Sequence, residues 1–175
     1  MKSEKDMAAS VRKHFGRGKT VSCGEVRVGR CRFDVVAYDK KDRVFRVVEC
    51  KLHSRPRNIG STFGQISSYL TVLKDRAFEF LDRASDGLQM RHGRWYEATD
   101  GWKRIRVAYY VALTNKACGQ PDFIAIRNRY PEIGVIRVKP DGRCRHALRL
   151  KNGRADSKAA LPIVQEIAIK YASNR

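Results

Sequence analysis

Apolar positions along the chain follow two alternating periods. Met7, Val11 and Phe15 recur four apart among charged residues, which predicts an amphipathic helix over residues 3–15, ended by Gly16 and Gly18. From Thr20 the period shortens to two, and residues 20–28, 32–38 and 44–52 read as three strands of an antiparallel meander joined by glycine-bearing or charged turns. Past Pro56 and Gly60 the helical period returns. Ser61 is placed to cap a helix whose Phe63, Ile66, Leu70, Leu73 and Ala77 form one apolar stripe to about Leu81.

Residues 82–104 fit neither period and read as a loop or insertion. Residues 105–113 are the most apolar strand. Residues 121–130 suit a short helix, with Pro121 in its first turn and Pro131 just beyond it. Residues 134–138 and 143–150 flank Lys139-Pro140-Asp141-Gly142, a good turn tetrad, and predict a closing hairpin. Ser157 then caps a last helix carrying Leu161, Val164, Ala168 and Tyr171. The order α, βββ, α, β, α, ββ, α describes an α/β sheet with helices on its faces. Its 175 residues, 42% hydrophobic, are enough to bury one core, so a single domain over 1–175 is expected. There is no internal repeat or low-complexity tract.

Residues 1–6 are charged and no apolar run approaches a membrane span, so neither a leader nor a membrane segment is expected and the setting is read as cytoplasmic. Five cysteines (Cys23, Cys31, Cys50, Cys118, Cys144) form an odd set without a C-x-x-C pair. They suit small buried hydrophobes, and neither a disulfide framework nor structural zinc is expected. Charge changes the picture more. Against 37 Lys+Arg stand 18 Asp+Glu, a net charge of +19, interleaved with apolar residues throughout. Such a surface favours a polyanionic partner, nucleic acid ahead of a membrane; the plain alternative is a cationic protein with no such partner.

Candidate chemistry gathers at one hairpin. Asp34 opens one apolar run and Glu49-Cys50-Lys51 closes the next. By strand alternation Glu49 and Lys51 share a face with Phe45 and Val47, while Cys50 and Val48 point the other way. Two carboxylates about 5 Å apart repel by roughly 3 kcal/mol at an effective dielectric near 20, so the arrangement calls for a cation. A divalent metal and phosphodiester chemistry follow as candidates. The tripeptide by itself says little, because Asp39/Lys41 and Asp156/Lys158 repeat its spacing. Those two fall in a turn and at a helix start, whereas Glu49 ends an apolar strand; there the plain alternative is a surface ion pair worth under about 1 kcal/mol.

Gln65 and Tyr69 share a face of the following helix. With Phe33-Asp34, Glu49-Cys50-Lys51 and Gln65-Ile66-Ser67-Ser68-Tyr69, residues 4–70 resemble the PD-(D/E)xK nuclease superfamily, in particular its RecB-like branch with a Q-x-x-x-Y element. Phe33 stands where the name-giving pattern has proline, a common departure. The resemblance implies a restriction-endonuclease-like fold: a mixed β-sheet flanked by helices, with an α-βββ-α-β core extended by the C-terminal hairpin and helix. It also implies that Asp34, Glu49 and the Cys50 backbone carbonyl bind Mg²⁺ or Mn²⁺, oxygen ligands suiting a hard cation. Lys51 then orients water or stabilises charge, Gln65 approaches the metal or phosphate, and Tyr69 contacts nucleic acid or simply packs.

A carboxylate from the first helix often completes such sites. Glu4 is the first candidate, with Asp6 (equally a helix-start charge) and Glu25 behind it. Arg55, Arg57 and Asn58 follow the motif and either grip a phosphate or form a solvated basic loop. Trp95, Tyr96 and Trp102 either stack on bases or anchor the insertion. His14, His53, His92 and His146 lack metal-cluster spacing, and the cysteines lack the clustering of iron-sulphur relatives, so no such cluster is expected. The expected activity is metal-dependent cleavage of DNA in repair, recombination or defence. The competing expectations are a non-catalytic nucleic-acid-binding module on the same fold and an RNA-processing endonuclease. Paired cuts would call for a homodimer or a second nuclease.

Overall fold

The computed structural model describes residues 1, 3–16, 20–40, 44–52, 56–89, 106–121, 123–130 and 133–148. The first helix, α1 (Glu4–Phe15), starts at a capping box. The Ser3 hydroxyl accepts the Asp6 N–H at 3.1 Å, and the Asp6 carboxylate accepts the Ser3 N–H at 3.0 Å. Two amides that a helix start would leave unpaired are thereby satisfied. The predicted stripe of Met7, Val11 and Phe15 is buried.

The strands are β1 (Thr20–Cys23), β2 (Val26–Val28), β3 (Cys31–Phe33), β4 (Val35–Asp39), β5 (Val44–Lys51), β6 (Arg106–Thr114), β7 (Ile133–Val138) and β8 (Cys144–Leu148). Between β5 and β6 lie α2 (Pro56–Asp75) and α3 (Ala77–Gly87); between β6 and β7 lie α4 (Asn115–Cys118) and α5 (Phe123–Asn128). Six strands form a mixed sheet in the order β1-β4-β5-β6-β7-β8. β5, β6 and β7 run parallel and the other neighbours antiparallel. The predicted α/β class and mixed sheet are thus observed. Among the described residues no helix is long and apolar enough to cross a membrane.

Strand parity divides the core between the two faces of the sheet. Val35, Ala37, Val44, Val48 and Cys50 pack with α1, and Val36, Phe45, Val47 and Val111 pack with Phe63, Leu73 and Phe80 of α2 and α3. Phe80 anchors the second face, its ring 5.4 Å from Phe45 and 6.0 Å from Phe33. On the α1 face, Arg46 lies over the Phe15 ring at 5.6 Å and bonds Asp39 at 3.0 Å, which pays for its burial in charge and contact.

Several predicted boundaries are corrected. Residues 20–28 are two strands, because the chain leaves the sheet at Gly24-Glu25 and Val26–Val28 pairs with Cys31–Phe33 in a separate two-stranded hairpin. Residues 32–38 likewise break at Asp34. The meander that remains is β1-β4-β5, antiparallel as expected. Ser61 is no cap: α2 begins at Pro56, whose missing N–H costs nothing in a first turn, and the Ser61 hydroxyl donates to the Asn58 carbonyl at 2.9 Å. The predicted helix to Leu81 divides at Arg76 and then continues to Gly87, so the first residues assigned to the 82–104 insertion are helical. The 121–130 helix is shorter, Phe123–Asn128. Residues 90–105, with Trp95, Tyr96 and Trp102, and the predicted last helix lie outside the described residues.

Gly134 on β7 pairs with Tyr110 on β6, and a Cβ there would come within 2.5 Å of the Tyr110 ring. Gly134→Ala is therefore expected to cost about 1–3 kcal/mol, as overpacking does where a ring must shift within a packed face. Urea unfolding would read the loss. An unchanged midpoint would mean that the ring gives way freely.

Candidate metal centre

β5 ends between an antiparallel neighbour and a parallel one, at its carboxyl end, where open α/β sheets leave a crevice. The β4–β5 ladder runs from Asp39↔Val44 to Val35↔Val48, and one further step would set Asp34 opposite Glu49. The ladder stops there instead. Asp34 lies between β3 and β4, and its Oδ2 accepts the Cys50 N–H at 2.8 Å. A carboxylate thus takes the amide that a main-chain carbonyl would otherwise have taken, which ties Asp34 to the end of β5.

Glu49 is only 4% exposed. Its Oε1 accepts from Lys51 Nζ at 2.8 Å, while Oε2 is buried without a hydrogen-bond partner among the described residues. Burial pushes the Glu49 carboxyl above its ordinary range; the Lys51 hydrogen bond opposes this and the Asp34 charge adds to it. Burial also raises Asp34, against the Cys50 amide, Lys51 and Arg32. For Lys51, burial favours the neutral amine, but the hydrogen bond to Glu49 and the charges of Glu49, Glu4 and Asp34 outweigh it and hold the ammonium above its ordinary value. Lys51 is therefore a fixed positive charge, suited to stabilising anionic oxygen and unsuited to taking a proton.

Glu4 reaches this end of the sheet from α1. Its Oε1 accepts the Leu52 N–H at 3.4 Å and its Oε2 stands 3.8 Å from Lys51 Nζ. Asp6 is spent on the capping box. Glu25 is not turned to the carboxylate pair: it bonds Arg27 at 2.6 Å and lies 3.8 Å from Arg32. Gln65 is exposed on α2 and donates to the Tyr69 hydroxyl. The Tyr69 ring meets Phe33, the residue before Asp34, edge-on at 5.6 Å, so Tyr69 packs on the core and holds Gln65 at once. Asn58 lies in the first turn of α2, where its carbonyl accepts the Ser61 and Thr62 hydroxyls. Arg55 and the side chain of Arg57 lie outside the described residues, as does His53.

One residue escaped the sequence reading. Arg32 NH2 stands 3.7 Å from Asp34 Oδ1. Its signal was the alternation Val26-Arg27-Val28 and Cys31-Arg32-Phe33, which marks a separate hairpin once residues 20–28 are no longer joined into one strand.

Among the described residues no group of three or more His, Cys, Asp or Glu side chains is arranged to hold a metal ion. The pair nevertheless fits a hard cation. Mg²⁺ sites commonly use one or two carboxylates and fill the remaining positions with water, and Glu49 Oε2 is a buried oxygen without a hydrogen-bond partner among the described residues. The Cys50 side chain is directed to the opposite face, packed with α1, and burial holds its thiol far above the ordinary range, so only its main chain is available. Compared with known proteins, the chain matches no family model, no curated protein and no solved structure.

Proposed function

We propose that this chain is a Mg²⁺- or Mn²⁺-dependent nuclease hydrolysing phosphodiester bonds in DNA, built on the restriction-endonuclease-like plan of the PD-(D/E)xK superfamily. The observation that carries the reading is the buried Glu49, one carboxylate oxygen without a hydrogen-bond partner and the other on the Lys51 ammonium, beside a half-buried Asp34 tied to the Cys50 amide. The topology is compatible with it: α1, the antiparallel β1-β4-β5 meander interrupted by the β2–β3 hairpin, α2 followed by α3, and β6 parallel to β5 allow an α-βββ-α-β core with added elements. The net charge of +19 suits a polyanionic substrate.

In this reading Asp34, Glu49 and the Cys50 carbonyl hold the ion, with Glu4 at the edge of the site. A bound divalent ion supplies Lewis acidity, acidifying water and neutralising charge on the phosphoryl group. Lys51, kept charged by Glu49, Glu4 and Asp34, stabilises the anionic oxygens of the transition state. Gln65, held by Tyr69, orients phosphate or water. Asn58, in the first turn of α2, with Arg55 and Arg57 near it in sequence, supplies the proposed phosphate contacts. DNA repair, recombination or defence is the setting such an activity would serve, with a homodimer as one route to paired cuts.

Labelled single- and double-stranded DNA and RNA, incubated with Mg²⁺, Mn²⁺ or EDTA, test this. Cleavage of DNA with either ion and none in EDTA is expected. Intact DNA bound with a steep salt dependence would make the chain a binding module, and cleavage confined to RNA would change the substrate class.

A further inference from the structure

We propose that the β2–β3 hairpin is a phosphate clamp for a nucleic-acid strand, with Arg27 and Arg32 as its gripping side chains and Glu25 as an internal stand-in for the phosphate. The proposal rests on the nuclease reading for the use of the clamp, but the clamp itself is read from the hairpin. Val26, Val28, Cys31 and Phe33 turn inward and are buried, leaving Arg27 and Arg32 outward. These two arginines are direct cross-strand partners, 72% and 49% exposed. Like charges set directly opposite destabilise a strand pair, and this pair has only three residues a side to absorb the cost.

Glu25 offsets that repulsion in a telling way. Its two oxygens divide between the arginines, Oε1 at 2.6 Å from Arg27 Nε and Oε2 at 3.8 Å from Arg32 Nε. A carboxylate held between two guanidinium groups occupies the position that a backbone phosphate would take in the same fork. Arg32 also faces Asp34 Oδ1 at 3.7 Å. Both Arg32 contacts are longer than a hydrogen bond, so they hold the guanidinium by charge while leaving its donors to a ligand. One arginine thereby joins the clamp to the carboxylate pair, and a phosphate seated on it lies next to Asp34.

The hairpin has a firm base. Phe33 packs on Phe80, and the Gly29 N–H donates to Glu79 Oε1 at 3.1 Å. Gly29 takes φ +55° with the Arg76 guanidinium close above it, a turn that a side chain would obstruct.

The test is equilibrium binding of a fluorescent DNA strand in EDTA, without turnover, over a series of NaCl concentrations. Arg27→Ala and Arg32→Ala are each expected to weaken binding about tenfold and to lower the slope of log K against log salt by about 1. Glu25→Gln is expected to tighten binding severalfold, since the internal competitor loses its charge. An unchanged slope in the double alanine variant, or a Glu25→Gln variant that binds no tighter, overturns the clamp. Should the alanine variants fail to fold, Glu25→Gln decides alone. Inorganic phosphate as a competitor separates a strand site from a site for the free anion: displacement at low phosphate concentration contradicts strand binding. Because no metal is present, absence of cleavage elsewhere sinks the nuclease reading without touching the clamp, and intact cleavage with unchanged slopes sinks the clamp without touching the nuclease.

Discussion

Replacing Glu49 by glutamine is expected to raise the stability of the metal-free chain near neutral pH and to lower metal-dependent cleavage by at least about 10³-fold. The two effects have one cause. Glu49 is buried with one oxygen paired to Lys51 and the other without a partner, and Asp34 adds a like charge. Neutralising it relieves the buried charge and the repulsion with Asp34 at the loss of the Lys51 ion pair, whose ammonium still faces Glu4 and Asp34, so the net gain is expected to be under about 1 kcal/mol. It also removes the charge that would hold the ion. The pH dependence follows from the raised carboxyls of Glu49 and Asp34. The folded chain keeps protons that the unfolded chain releases, so this contribution to stability is complete below the ordinary carboxylate range and is lost as pH rises through the raised folded values. Glu49→Gln should flatten that fall between mildly acidic and neutral pH. Thermal unfolding across this range reads it; a variant less stable than wild type at neutral pH would show that the charge is well satisfied as it stands.

Adding Mn²⁺ is expected to lift the unfolding midpoint by about 5–10 °C at a free concentration near 100 times the dissociation constant. Binding to the folded chain alone contributes about 2.7 kcal/mol there, and each kcal/mol moves the midpoint of a chain this size by about 2–4 °C. The ion must displace protons from the same raised carboxyls, so the lift should be larger at mildly alkaline than at mildly acidic pH. Asp34→Asn should remove most of it. A lift that survives Asp34→Asn would locate the ion elsewhere.

The carboxylate site was legible in the sequence because strand parity is a local rule. Glu49 and Lys51 do share a face, and the amphipathic stripe of α1 does bring Glu4 to the same end of the sheet. What local reading missed were the places where a side chain replaces regular structure. Asp34 interrupts its strand because its carboxylate accepts the Cys50 amide, a partner 16 residues away. The period-two pattern changes phase at Gly24-Glu25, its apolar positions moving from Val21 and Cys23 to Val26 and Val28, and the two pieces take different partners. Joining them into one strand hid the Arg27/Arg32 pair. Pro56 sets the start of α2 because a proline start needs no cap, and the break falls at Arg76, whose guanidinium pairs with Glu79 in the first turn of α3 at 3.0 Å. The parallel alignment of β6 and β7 with β5 lay beyond local pattern altogether, although the helices between them permit it.

Cleavage of labelled DNA by wild type and Asp34→Asn side by side, in Mn²⁺ and in EDTA, tests the central assignment most directly. Cleavage is expected only by wild type and only with the ion, with Asp34→Asn folded and inactive. Equal cleavage by Asp34→Asn, or cleavage by wild type in EDTA, would contradict it.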